Sequence, residues 1–141
     1  MNLYSKIWIH AIVSTGNKLP LINSDNEAFI YQLLHDCLAN QQCTVMAING
    51  SKEHVHLLFL YNPVKSIGEV IEQALEESIP LVNEKFFKAS SFSWDKDIRL
   101  FSVSESQSSK VQEYIQNQKE FHKEKTFVKE LDEFLKVYGL K

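Results

Sequence analysis

Cysteine is scarce in this chain: Cys37 and Cys43 are the only two among 141 residues. Six residues apart, they fit neither a zinc knuckle nor a redox Cys-x-x-Cys pair, and they read as core thiols of a reducing compartment. Long apolar runs are missing too; none approaches about 18 residues, so no membrane span is expected. The opening MNLYSKIWIHAIVST has neither a basic leader nor a small-residue cleavage site, and the expectation is a cytoplasmic protein. Nor is positive charge in excess: 15 Lys and Arg against 18 Asp and Glu leave a net charge of −3. Proteins that grip nucleic acid through its phosphates are usually basic, because counterion release drives their affinity. Any phosphate-facing field here must therefore be local. Repeats, linkers and low-complexity tracts are absent, and no Ser or Thr sits in a P-loop or nucleophile-elbow context. What is present, 44% hydrophobic and 23% charged residues, suits one globular domain spanning residues 1–141.

The apolar pattern divides that domain into elements. Residues 4–15 are β-branched and aromatic, with Ile7, Ile9, Ala11 and Val13 on one side, and read as a strand ended by Gly16-Asn17. Ser24-x-x-Glu27 has the form of a capping box before an apolar stripe over 25–39, which predicts a helix. A second strand over 43–48 and an Asn49-Gly50 turn lead into the run HVHLLFLY at 54–61, closed by Pro63. Ser66-x-x-Glu69 opens a second helix, expected to kink or stop near Pro80. Residues 90–97 read as irregular and 98–103 as a fourth strand. One helix capped by Ser104-x-x-Gln107 and carrying Tyr114 and Gln118, and another from about Thr126 to Gly139, complete the chain. The β-α-β-β-α-β-α order predicts an α+β fold, a ferredoxin-like split β-α-β sheet with additional C-terminal helices. The first two helices cover one face. The other is left for a ligand or for the C-terminal helices.

His54-Val55-His56 is the informative tripeptide. Residues two apart on a strand point the same way, so both imidazoles leave one face together while Val55, Leu57 and Phe59 enter an apolar layer. Such histidines are more often polar positions on a wet sheet face than ligands. Tyr114 and Gln118, one helical turn apart, share a helix face and supply what the pair lacks. A phenol with a pKa near 10 is only about a thousandth ionised at neutral pH. A divalent cation beside a phosphate stabilises the charge that develops during attack. Two imidazoles and an amide oxygen leave half an octahedron open, which suits Mg²⁺ or Mn²⁺. Attack by the phenol conserves bond energy in a covalent phosphotyrosine. His10 on the first strand can approach the same place, and His122, one turn after Gln118, is a candidate outer or fourth ligand. Lys52, Lys110, Lys119 and Lys123 are candidate phosphate contacts, while His35 and the Glu69, Glu72, Glu76, Glu77 cluster read as solvated.

These residues resemble the single-tyrosine, HUH-type transposases of bacterial insertion sequences, the insertion-sequence-200-like group and their repeat-associated relatives. The likeness rests on IHAIVST (9–15), INGSKEHVHLLF (48–59), FSW (92–94), FSVSESQ (101–107), YIQNQKEFH (114–122) and FLKVYGL (134–140). It implies a homodimer whose sheets join, in which the tyrosine helix of one subunit can serve the histidine pair of the other. It further implies that His54, His56 and Gln118 bind the metal, and that Tyr114 attacks single-stranded DNA with hairpins to leave a 5′-phosphotyrosine. STGNK (14–18), EQALEESIP (72–80) and DKDIRL (95–100) depart from the group's more basic or flexible segments. That loss motivates an alternative: a domesticated, non-transposing relative that binds structured DNA or RNA as a regulator.

Overall fold

In the computed structural model, which describes residues 1–140 and so leaves out Lys141 of the expected 1–141 domain, a four-stranded antiparallel sheet carries helices on both faces. Along the chain run β1 (Trp8–Thr15), α1 (Glu27–Asn40), β2 (Thr44–Gly50), β3 (His54–Leu60), α2 (Ile67–Phe86) and β4 (Trp94–Val103). Then come α3 (Ser108–Gln116), α4 (Gln118–Glu124) and α5 (Phe127–Val137). The strand order β2-β3-β1-β4 is that of the split β-α-β sheet, with β3 and β1 in the middle.

Alternation along the central strands sorts two cores. Ala11, Val13, Val55, Leu57 and Phe59 face α1 and α2 and pack with Leu34, Leu38, Ile71 and Val82. The opposite positions, Trp8, Ile12 and Leu58, meet the C-terminal helices through Ile115, Phe127 and Leu131. The second face is therefore covered by helices, not open. Both cysteines are unpaired and buried.

Several boundaries differ from the sequence reading, each for a local reason. β1 starts at Trp8, not at residue 4, because its partner β3 ends opposite it at Leu60. Just before it only the Ile7 carbonyl still pairs, accepting the Tyr61 amide at 2.8 Å. Asn49-Gly50 lies inside β2 rather than forming the turn, which falls at residues 51–53. A Cβ on Gly50 would stand 2.0 Å from the His54 carbonyl oxygen, so only glycine permits this approach. The Ser24 and Ser66 boxes form no side-chain caps. Before α1, Asn23 and Asn26 cap the turn instead: Asn23 Oδ1 accepts from the Asp25 and Asn26 amides at 2.9 and 3.1 Å. α2 continues through Pro80 to Phe86 because its far end is held from outside: Asn83 Oδ1 accepts the Phe92 amide at 2.8 Å and Asn83 Nδ2 donates to the Phe92 carbonyl at 3.1 Å. Trp94, expected in an irregular stretch, begins β4; its indole N–H donates to Ser78 Oγ at 2.9 Å and it pairs with Thr15. Finally, the single helix expected across Tyr114 and Gln118 is two, joined at Asn117.

Candidate active site

β3 delivers His54 and His56 to the face under the C-terminal helices, as the two-residue repeat demands. α4 brings Gln118 and His122, one turn apart, over the same spot. α3 brings Tyr114, whose ring stands edge-on to His56 with centroids 5.7 Å apart. β1 brings His10. His54, His56 and Gln118 are 0% exposed, and Glu130, from α5, is 1% exposed.

Glu130 is the residue that the sequence reading missed, and it is the hub. Its Oε1 lies 3.4 Å from His54 Nε2, 3.2 Å from His56 Nε2 and 3.1 Å from His122 Nε2. Its Oε2 accepts Gln118 Nε2 at 2.9 Å and the Tyr114 hydroxyl. The signal was present: Glu130 falls on the apolar stripe of α5 between Phe127, Leu131 and Phe134. A carboxylate at a core position of an amphipathic helix is rarely buried unless it is partnered.

Every imidazole is also held from behind. His54 Nδ1 meets Glu53 Oε1 at 2.8 Å, His56 Nδ1 meets His10 Nε2 at 2.7 Å, and His122 Nδ1 donates to the Lys125 carbonyl at 2.7 Å. Such outer partners fix the tautomer and aim the other ring nitrogen, the habit of metal-binding histidines. Phe127 stacks flat on His54, 4.0 Å between centroids, and excludes water from that side.

The electrostatics follow from burial and charge. Burial pushes His56 down to about 4, with the neighbouring His54 and His122 adding to the effect against the pull of Glu130. Burial also lowers His10, with His56 adding to it, and lowers His122. For His54 burial acts downward as well, but hydrogen bonds to Glu130, Glu53 and Gln118 outweigh it and raise the ring's pKa. Glu130, despite its burial, is held below the usual carboxylate range by His54 and His56.

The donor set fits a cation. The Lys125 carbonyl can only accept, so His122 Nδ1 carries the proton and, in the neutral ring, Nε2 presents a lone pair. That lone pair faces two more acceptors, Gln118 Oε1 at 2.9 Å and Glu130 Oε1 at 3.1 Å. Acceptors do not gather at this distance without a positive centre among them. One ligand atom each from His54, His122 and Glu130 all lie within 4.8 Å of one another.

The candidate phosphate contacts divide. Lys52, Lys119 and Lys123 line a groove of about 1000 Å³ beside the cluster, together with Lys125, His122 and Phe127. Lys110 lies exposed on α3 and does not line it. Lys119 is engaged by Glu27 at 3.0 Å and Lys123 by Glu120 at 2.9 Å. His35 is solvated beside Asp36, as expected.

Known proteins agree with this architecture. A candidate transposase from Deinococcus radiodurans R1 is 20% identical, with a TM-score of 0.69 over 84% of this chain and 95% of that one. A REP-associated tyrosine transposase, solved bound to a REP hairpin, is 11% identical, with a TM-score of 0.64 over 86% of this chain and 72% of that one. At such identities these neighbours show the fold. No curated protein matches the sequence. The family model described as "Transposase IS200 like" matches residues 3–118, and the chain belongs to that family of transposases. α5, with Glu130, lies beyond the matched segment.

Proposed function

We propose that the protein cuts and rejoins single-stranded DNA with Tyr114 as nucleophile, at a divalent cation held by His54, His56 and Gln118, with His122 beside them. One observation carries the reading: the Tyr114 hydroxyl, three imidazoles and an amide from three separate elements converge on the two oxygens of one carboxylate carried by a fourth. The contact of the Tyr114 hydroxyl with Glu130 of the same chain supports a cis arrangement.

The Tyr114 oxygen attacks phosphorus and the P–O3′ bond breaks, leaving a 5′-phosphotyrosine and a free 3′-hydroxyl that takes up a proton. Attack by that hydroxyl reverses the step and rejoins the strand without an external energy source. The cation, Mg²⁺ or Mn²⁺, supplies electrostatic stabilisation of the phosphate. The protein's own groups do the rest. Glu53 and His10 orient the imidazoles, and Gln118 Nε2, by donating to Glu130, turns Oε1 towards His54 and His122. Lys52, Lys119 and Lys123 offer phosphate contacts in the adjoining groove. The relative bound to a REP hairpin supports hairpin-bearing DNA as the partner, and a homodimer remains part of the proposal.

Incubation with single-stranded DNA and Mn²⁺ tests it. The wild type should give a denaturation-resistant protein–DNA adduct, and Tyr114→Phe should give none while still shifting hairpin DNA in a gel. An undiminished adduct in Tyr114→Phe would remove the nucleophile from the scheme. A second reading, a domesticated regulator that binds structured DNA or RNA, is favoured by the burial of the cluster beneath α5 and by the acidic partners of Lys119 and Lys123. Hairpin binding without any adduct selects it.

A further inference from the structure

We propose that Glu130 is itself a metal ligand whose carboxylate holds the place of the scissile phosphate, so that a bound cation latches α5 over the site. The latch rests on the reading above only for what it excludes; the ligand set stands on geometry.

Three observations combine. Glu130 Oε1 is the point on which three Nε2 atoms converge at 3.1 to 3.4 Å. Each of those rings has its Nδ1 occupied elsewhere, which leaves Nε2 as the coordinating atom. The other carboxylate oxygen accepts the Tyr114 hydroxyl. An anion in contact with both nucleophile and cation occupies the position that a phosphodiester oxygen needs for attack. The carboxylate and the phosphate therefore exclude each other. Glu130 arrives on α5, beyond the residues 3–118 that the family model matches, and Phe127 of the same helix lies flat on His54.

Two consequences follow. A cation joined to Glu130 ties α5 to β3 and α4, so binding must stabilise the docked helix. Imidazoles with one carboxylate form a set that favours Mn²⁺ and Zn²⁺ over Mg²⁺, which prefers all-oxygen, water-rich coordination.

The test uses the full chain without DNA. Calorimetric titration with MnCl₂ and with ZnCl₂ should give at least about tenfold weaker binding for Glu130→Gln than for the wild type, the range expected when a ligand or its close support is lost. Hydrogen exchange of the wild type alone, which needs no variant to fold, should show amides of 127–137 slowed by Mn²⁺ or Zn²⁺. Equal affinity in the folded variant, or exchange in α5 indifferent to metal, overturns the latch. Adduct formation by the wild type is read separately. An adduct with a metal-indifferent α5 sinks the latch alone, and a metal-protected α5 with no adduct from either the wild type or Glu130→Ala, in which no carboxylate fills the phosphate position, sinks the nuclease reading alone.

Discussion

Gly50→Ala should damage the fold and the metal cluster together. The added methyl would lie 2.0 Å from the His54 carbonyl oxygen, 2.9 Å from the His54 carbonyl carbon and 2.9 Å from Val55 Cα, all of them backbone atoms that cannot rotate aside. Ordinary carbon–oxygen contact lies near 3.4 Å, so the hairpin must open by more than 1 Å. Opening it strains the Gly50–Val55 pairing and the Ser51 amide bond to the His54 carbonyl, now 3.1 Å. Overpacking of this kind costs about 1–3 kcal/mol. For a chain of this size that corresponds to a fall in Tm of roughly 3–12 °C, measured by scanning calorimetry or circular dichroism. Because the residue displaced is His54, metal affinity should fall with it, and a 1 Å error in a site of this kind costs on the order of 10²-fold in rate. A variant with the wild-type Tm and wild-type Mn²⁺ affinity would show that the hairpin tolerates a side chain at this position and that the close approach constrains nothing.

Acidification of the metal-free protein should weaken it between pH 6.5 and 4. Neutral His56, held down to about 4 by burial, must be protonated inside the core as pH falls, at about 3 kcal/mol. His10 and His122, also lowered, act in the same direction. His54, raised, keeps its contribution throughout that window and loses it only as pH rises past its folded value. Urea midpoints at pH 7 and pH 4.5 measure the slope, and a flat profile would contradict neutral, buried rings. Asn83→Ala leaves the Phe92 amide and carbonyl without their partners. It should cost about 2 kcal/mol and loosen α2 beyond Pro80, seen as faster hydrogen exchange over 81–86.

The strands and the two-residue repeat of β3 were legible because period and residue type agree there: His54 and His56 share a face, and Val55, Leu57 and Phe59 enter the opposite core. Boundaries were less legible because distant partners set them. Asn83 carries a helix past a proline, Trp94 starts a strand by reaching Ser78, and β3 decides where β1 begins. The candidate cluster was half visible. Tyr114 and Gln118 announced themselves by spacing, but Glu130 looked like one more surface carboxylate in a helix rich in them. Only the stripe of Phe127, Leu131 and Phe134 around it betrays its inward direction.

With helices laid on each flat side, the sheet has only its rims to offer another copy of itself. At one rim, β2 is interrupted by an irregularity between Val45 and Ala47, with Met46 turned outward. The other, β4, carries Asp95, Lys96 and Asp97 directly after its first residue, Trp94. Kinks and charge are the devices by which strands refuse uninvited neighbours. A dimer whose sheets join, as the resemblance implies, would have to seat one of these rims, its kink or its charges, in the seam between the copies.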